Sequence, residues 1–232
     1  MIPIKDDNPT KNKTYMRMII LMICSLIFII QISSDNRDLY TYYFGFKPAS
    51  FFNNFNFPTF IPFLTIFTSM FMHGGWMHFL GNMLYLWIFA DNIEDVLGPK
   101  RFVIFYLMSG VFASISQALV NLDSNIPMIG ASGAIAGVLG SYLYLFPKAR
   151  VLVLVPFVIF FTIRVPAFLL LIFWFLFQFM NLGALDSNIA WIAHIGGFAF
   201  GFLYSFFFIS KPKNTNRKKG RSIFLGKKGP WG

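Results

Sequence analysis

Two polar residues of complementary chemistry lie at similar places in two apolar segments of the chain. Ser132 lies in the run GASG (130–133) at the start of one segment, and His194 lies in the run AHIGG (193–197) near the start of another. A serine hydroxyl becomes a nucleophile when an imidazole within hydrogen-bonding distance accepts its proton. Because polar side chains inside a bilayer are costly, both residues are candidates for function if their segments enter the membrane from the same side.

The composition is typical of a polytopic membrane protein. Hydrophobic residues make up 56% of the 232 residues and charged residues 12%, whereas soluble domains contain about 45–50% and about 25%. A chain of this length can hold several crossings of about 20 residues each, so we expect no separate soluble domain. The single cysteine, Cys24, lies in the first apolar run, cannot form an intrachain disulfide and is expected to be a packing residue.

We predict an all-α membrane protein with six transmembrane helices. The spans are predicted at about residues 15–32, 76–96, 102–121, 132–146, 167–181 and 189–209, between an N-terminal arm (1–14) and a basic tail (210–232). The fourth span has about 15 residues, which is too short for a hydrocarbon core of about 30 Å. One end of this span must therefore stop inside the membrane, under a polar cavity. The absence of a small-residue cleavage site after the first apolar run indicates a retained anchor rather than a signal peptide.

Two further segments do not fit a crossing. The stretch from about Ser33 to His73 is rich in Phe but is interrupted by several Asn residues and by Pro58 and Pro62. Because lipid-exposed irregular backbone is not tolerated in the hydrocarbon core, we predict a first loop that is interfacial and partly inserted into the membrane. Residues 151–162 are apolar and β-branched but too short to span, and are assigned to the cytoplasmic interface.

The basic residues predict the orientation of the chain. With both termini in the cytoplasm, 17 of the 19 Lys and Arg residues fall on the cytoplasmic side, and only Arg37 and Lys47 fall outside. The net charge of +10 therefore reports topology rather than nucleic-acid binding. The tail is interpreted as a retention signal that also contacts anionic lipid. The compact six-span form suits a bacterial inner membrane.

The predicted topology places His78, Ser132 and His194 at one depth, because spans two, four and six all enter from the outer face. Small residues then recur at helical spacing in spans four and six, where they allow two membrane helices to approach closely. Four glycines are predicted to carry this contact: Gly133, Gly137, Gly197 and Gly201. Close contact is what a hydrogen bond between the short side chains of Ser132 and His194 requires.

No carboxylate is well placed to complete a catalytic triad. Glu94 and Asp95 follow His78 by 16 and 17 residues, or about 24 Å of helix, and so lie at the cytoplasmic end. Asp186, eight residues before His194, lies in an outer loop and remains a candidate orienting group. The simpler prediction is a Ser–His dyad whose base is held by helix packing.

An acyl-transfer site also needs hydrogen-bond donors for the oxyanion. The backbone N–H groups of Gly130, Ala131 and Ser132 are expected to be free, because a helix begins there. The side chains of His78 and Asn82, one turn apart on span two, can add further donors. An interhelical structural hydrogen bond is the other interpretation of Asn82.

These residues together resemble the rhomboid family of intramembrane serine proteases. The resemblance rests on GASGA (130–134), on His78 and Asn82 in the order H-x-x-x-N, on HGGW (73–76), and on AHIGG (193–197) with Gly201. It implies that Ser132 is the nucleophile and His194 the base, and that His78 and Asn82 stabilise the oxyanion. It also implies cleavage of single-span or polytopic membrane proteins in or near a transmembrane helix, without cofactor or metal.

The chain departs from the family pattern at two places. The Trp-Arg pair of the family's first loop has no counterpart, the nearest positions being Leu64 and Thr65. The aromatic residue that often follows the serine by four positions is Ala136 here. Neither position supplies a reacting group. The missing Trp-Arg pair bears on the rigidity of the first loop, and Ala136 bears on the orientation of His194.

Three other classes of function remain open. The first is a catalytically inactive rhomboid-like protein that binds membrane helices, although such proteins usually lack the serine or the histidine. The second is a channel or transporter, which a repeat between the two halves would favour, and none is visible. The third is a metal or haem site formed by His73, His78 and His194, for which the sequence offers no His-Glu-x-x-His motif.

Overall fold

The computed structural model describes residues 2–52, 60–156, 160–182 and 189–211, and within these ranges the chain is mostly helical. Its helices are α1 (Met16–Ser33), α2 (Arg37–Phe44), α3 (Pro48–Phe52), α4 (Phe60–Thr68), α5 (Trp76–Leu97), α6 (Pro99–Ala118), α7 (Ser132–Leu145), α8 (Ala167–Met180) and α9 (Trp191–Phe208). A 3₁₀ turn at Ser69–Phe71 follows α4. Most of the predicted basic tail lies outside the described residues.

Each of the six predicted spans overlaps one of the longer helices. Among the described helices, α1, α6 and α9 are both long and apolar enough to cross a membrane. Helices α7 and α8 are apolar but have only 14 residues each. Helix α5 has 22 residues and carries acidic side chains in its last two turns. The number of crossings and the orientation stay predictions.

The prediction of an all-helical chain missed an antiparallel sheet. Strands β1 (Ile2–Asp6), β2 (Arg150–Pro156) and β3 (Phe160–Pro166) are arranged in the order β1-β2-β3. Strands β2 and β3 overlap residues 151–162, the segment that the sequence places at the interface, and their Val, Ile and Thr residues favour extended backbone. Strand β1 lies in the N-terminal arm and pairs Ile2 with Leu154, a partner too distant in sequence for a local pattern to reveal.

The first loop also contains more regular structure than its sequence suggests. Helices α2, α3 and α4 lie in it. Pro62 is in the first turn of α4, where N–H groups make no hydrogen bonds within the helix, so the missing N–H of proline costs no helical bond. Residues 53–59, which include Pro58, lie outside the described residues. Buried Phe46, Ile66 and Met70 pack against Ala118 of α6 and join the loop to the bundle. Insertion of this loop into the membrane stays a prediction.

Helix α7 is the centre of the bundle. Eleven of its 14 residues are buried, and its most extensive interface among the described elements is with α9. Small side chains dominate this interface, which is what close approach of two helices requires. Near the far end of the contact, the buried hydroxyls of Ser141 and Ser205 are 2.6 Å apart and hydrogen-bond each other. The position of α7 therefore decides where its first residue, Ser132, lies.

A buried carboxylate ties α1 to the end of α5. Glu94 is 1% exposed and accepts hydrogen bonds from the backbone N–H groups of Tyr15, Met16 and Arg17 at 2.8–2.9 Å. These N–H groups belong to the first turn of α1, where no helical acceptor is available and the helix dipole favours negative charge. Glu94 thus caps α1 and anchors it to α5.

The N-terminal strand is connected directly to α7. The Tyr142 hydroxyl donates a hydrogen bond of 2.6 Å to Asp6, and Arg164 of β3 forms an ion pair of 3.1 Å with Asp7. The pKa of the Asp6 carboxyl is raised from 3.8 to about 6, mainly by burial; the Tyr142 hydrogen bond opposes this rise, and the neighbouring carboxyl of Asp91 adds to it. The folded state therefore binds the proton of Asp6 more tightly than the unfolded chain does.

We expect this carboxyl to make the stability of the protein pH-dependent. A raised carboxyl pKa contributes stability that is present below about pH 4 and is lost as the pH rises through about 6. The melting temperature of the purified protein should therefore fall as the pH rises from about 4 to about 6, and this fall should be smaller in Asp6→Asn. The exposed carboxyl variant Asp35→Asn is the control. An Asp6→Asn protein with the same pH dependence as the control would contradict the assignment.

Candidate active site

Backbone contact between α7 and α9 brings the two candidate reacting groups together. A Cβ atom on Gly197 would collide with the carbonyl oxygen of Gly133, and one on Gly201 would collide with that of Gly137. A Cβ on Gly137 would in turn lie 3.2 Å from the carbonyl oxygen of Gly197. The four predicted packing glycines therefore lie in one contact, in which no side chain separates the two helices.

Ser132 and His194 meet at one end of this contact. Ser132 is the first residue of α7, and His194 is in the first turn of α9. The His194 Nε2 atom lies 2.8 Å from the Ser132 Oγ atom, which is hydrogen-bonding distance. A hydroxyl in this position can transfer its proton to the imidazole as it attacks an electrophile.

Helix α8 supplies a contact to His194 that the sequence reasoning did not identify. The Oε1 atom of Gln178 lies 2.9 Å from His194 Nδ1, and the Gln178 side chain is 2% exposed. The sequence search looked for an acid, whereas a lone glutamine in the apolar run FWFLFQFM was itself a signal. Asp186, the orienting residue considered from the sequence, lies outside the described residues.

Aromatic rings pack against His194 from elements other than α7. The Trp174 ring of α8 is centred 5.9 Å from the imidazole at an interplanar angle of 37°, and the Trp191 ring of α9 is centred 6.0 Å away at 89°. Ala136, at the position where the family often has an aromatic residue, is fully buried. The rings beside His194 therefore come from α8 and α9.

His78 lies on the other side of Ser132. A Cβ built on Gly130 would come within 2.6 Å of His78 Nε2 and 3.5 Å of Ser132 Oγ, so the three residues surround one small space. The Gly74 N–H donates to His78 Nδ1 at 3.4 Å, which favours the tautomer with its proton on Nε2. That proton faces the space beside Ser132. Gly130 itself has a φ of +132°, a conformation that favours glycine.

The remaining predicted oxyanion donors differ in their availability. Asn82 is 8% exposed, and its Nδ2 atom has no hydrogen-bond partner in the part of the chain that the structure describes. The N–H groups of Ala131 and Ser132 precede the first hydrogen bonds of α7. The Gly130 N–H is not free, because it donates to the carbonyl oxygen of Ser69 at 2.9 Å. The prediction that included this N–H is corrected accordingly.

The third histidine is a buried neighbour of His78. His73 is fully buried, its ring is centred 5.3 Å from that of His78, and its backbone N–H donates to Gln31 Oε1 at 3.0 Å. Within the described ranges, no three His, Cys, Asp or Glu side chains form a group suited to a metal ion.

Comparison with known proteins points to one family. The Rhomboid domain family matches residues 62–211, a range that includes Ser132, His194, His78 and Asn82. The mitochondrial Rhomboid protein 1 of Saccharomyces cerevisiae is 33% identical over 170 residues, which cover 67% of this chain and 44% of the relative. The RHOMBOID-like protein 4 of Arabidopsis thaliana is 36% identical over 147 residues, which cover 61% of this chain and 33% of the relative.

A bacterial relative carries a protease name. The Rhomboid protease GluP of Bacillus subtilis is 33% identical over 137 residues, which cover 59% of this chain and 24% of the relative. The matched segments thus make up less than half of the length of each of these three relatives.

The glycine contact between α7 and α9 predicts a specific intolerance to added atoms. Gly197→Ala should lower the free energy of unfolding by about 1–3 kcal/mol and should separate Ser132 from His194, because the methyl group meets backbone that cannot move aside cheaply. Gly81→Ala is the control, since its Cβ would meet no atom within 4 Å and alanine favours a helix by about 0.5–1 kcal/mol. Thermal unfolding in detergent measures the stability of the two variants. Equal effects of the two variants would contradict the packing argument.

Proposed function

The chain belongs to the rhomboid family, and we propose that it is an active serine endopeptidase that cleaves transmembrane segments of membrane proteins near the outer face of the bilayer. The observation that carries the proposal is the 2.8 Å separation of His194 Nε2 and Ser132 Oγ. The substrates are single-span or polytopic membrane proteins, and the reaction needs neither cofactor nor metal. Nucleic acid has no part in it.

In the proposed reaction, Ser132 and His194 act as nucleophile and general base. The Ser132 Oγ atom attacks the scissile carbonyl carbon while its proton passes to His194 Nε2. The protonated imidazole then donates this proton to the leaving amine as the peptide C–N bond breaks, which leaves an acyl enzyme. A water molecule, deprotonated by the same nitrogen, hydrolyses the ester and regenerates the serine hydroxyl.

The negative charge on the tetrahedral intermediate would be stabilised from the His78 side of Ser132. His78 Nε2 faces this side, and Asn82 Nδ2, one turn further along α5, is a buried donor without a partner among the described residues. The N–H groups of Ala131 and Ser132 add the positive end of the α7 dipole. Donors that are already fixed in place need little reorganisation when the charge develops.

A catalytically inactive, helix-binding relative is the alternative. Such a protein needs apolar contact surfaces but has no use for polar groups that are costly inside a membrane. Here Ser132 and His194 are both present and within hydrogen-bonding distance, and Asn82 Nδ2 is buried without a partner among the described residues. These observations favour catalysis.

The proposed topology has six crossings, with both termini in the cytoplasm and the site near the outer ends of α5, α7 and α9. Strand β1 of the N-terminal arm pairs with β2, which follows α7, so the arm and the α7–α8 connection lie at the same end of the bundle. This end is opposite to Ser132 along α7. The excess of Lys and Arg in these segments supports a cytoplasmic location, and we propose a bacterial inner membrane.

The proposal predicts proteolysis that depends on both members of the dyad. Purified protein in liposomes should cleave a single-span substrate with helix-destabilising residues near its outer end, and Ser132→Ala and His194→Ala should abolish cleavage. Ser141→Ala is the matched control, because this serine lies on the same helix but its hydroxyl bonds that of Ser205 in the interior, away from His194. It should retain cleavage. Cleavage by Ser132→Ala at the wild-type rate would overturn the proposal.

Asn82 should contribute to the transition state rather than to substrate binding. Asn82→Ala is expected to lose about 1–3 kcal/mol of transition-state stabilisation, seen mainly in kcat and smaller than the loss from Ser132→Ala. Asn92→Ala serves as the control, because this buried asparagine lies on α5 beside Asn8 and Asp91, more than two turns beyond Asn82. It should lower thermal stability and leave kcat unchanged. Similar kcat losses in both variants would show that Asn82 is structural.

A further inference from the structure

We propose that Gln178 of α8 is a positioning residue that holds His194, the base of the Ser–His dyad, in its reactive tautomer. This inference rests on the proposed function. It concerns the side of His194 that faces away from Ser132, where the sequence offered only Asp186. The 2.9 Å separation of Gln178 Oε1 and His194 Nδ1 is its starting point.

The amide of Gln178 is held in one orientation. Its Nε2 group donates a hydrogen bond of 2.6 Å to the carbonyl oxygen of Trp174, one turn earlier on α8. Rotating the amide by 180° would turn its oxygen toward that carbonyl oxygen and its NH₂ group toward His194, which would replace a hydrogen bond by a contact between two acceptors inside an apolar helix. The carbonyl oxygen of the amide is therefore the atom that faces the imidazole.

This orientation determines where the imidazole proton lies. An amide oxygen only accepts hydrogen bonds, so the contact with His194 Nδ1 requires a proton on that nitrogen. A neutral imidazole then carries a lone pair on Nε2, the atom that lies 2.8 Å from Ser132 Oγ. In the opposite tautomer Nε2 carries the proton, so it faces Ser132 with an N–H group and cannot accept the proton of the hydroxyl. Gln178 thus keeps His194 competent as a base.

An amide suits this position better than the acid that the sequence search looked for. Gln178 is 2% exposed, and its hydrogen-bond partners among the described residues are the Trp174 carbonyl and His194. A carboxylate there would carry the cost of a buried charge whenever His194 is neutral, whereas an amide orients the ring through its dipole alone. The same turn of α8 also places the Trp174 ring against the imidazole. The hydrogen bond and the ring contact therefore come from one helix.

The test compares three variants of α8 in the liposome cleavage assay. Gln178→Met keeps the length of the side chain but removes the amide, and should lower kcat by about 10–100-fold while KM changes by less than about threefold, because the base then populates the wrong tautomer. Gln178→Glu restores an acceptor for Nδ1–H and should recover kcat to within about threefold of the wild-type protein.

Asn181→Leu is the matched control for these variants. Its amide also bonds the carbonyl four residues earlier on α8, that of Phe177, but no described contact joins it to His194. It should leave kcat unchanged. If Gln178→Met cleaves at the wild-type rate while Ser132→Ala is inactive, this inference fails and the proposed function stands. If Gln178→Glu is as impaired as Gln178→Met, or if KM rises as much as kcat falls, Gln178 has only a packing role and the inference is overturned.

Discussion

The structure depends on one contact, in which the backbones of α7 and α9 touch along a line of glycines. Gly197 and Gly201 lie directly against the carbonyl groups of Gly133 and Gly137, so the distance between the helix axes is set by main-chain atoms. Serine and histidine side chains are short, and a separation of 2.8 Å between their reacting atoms follows only when the helices are this close. Interfaces made of backbone have little freedom to relax, and this rigidity gives the pair a fixed geometry without a charged partner.

The surroundings of Ser132 divide into two sides with separate structural supports. On one side, α8 contacts His194 through the Gln178 amide and the Trp174 ring. On the other side, α5 brings His78 to the space in front of Gly130. The opposite end of α7 is held by the Tyr142 hydrogen bond to Asp6 and by the sheet that includes the N-terminal strand. The short helix α7 is thus held in position by contacts at both of its ends.

The sequence predicted the features that depend on local pattern and missed those that depend on distant partners. The apolar runs and the Gly and Pro residues that end them place helices close to the observed bounds of α5 and α7, and the glycine spacing predicts the contact between α7 and α9. Strand β1 could not be found this way, because its pairing with β2 joins residues about 150 positions apart. The contact of Gln178 with His194 could not be predicted from charge, because an amide carries none. The hydrogen bond of the Gly130 N–H could not be predicted either, because its acceptor, the Ser69 carbonyl, belongs to the first loop.

The most direct test of the account is covalent labelling of the wild-type protein in lipid with a serine-directed fluorophosphonate, followed by mass spectrometry of the modified peptide. A nucleophile activated by His194 should react with the probe at Ser132 and at no other serine, and the adduct should be absent from His194→Ala. This result would show that the hydrogen bond observed in the structure produces a reactive hydroxyl. A wild-type protein that stays unlabelled, or that is labelled equally without His194, would contradict the central claim that helix packing places a working serine nucleophile beside its base.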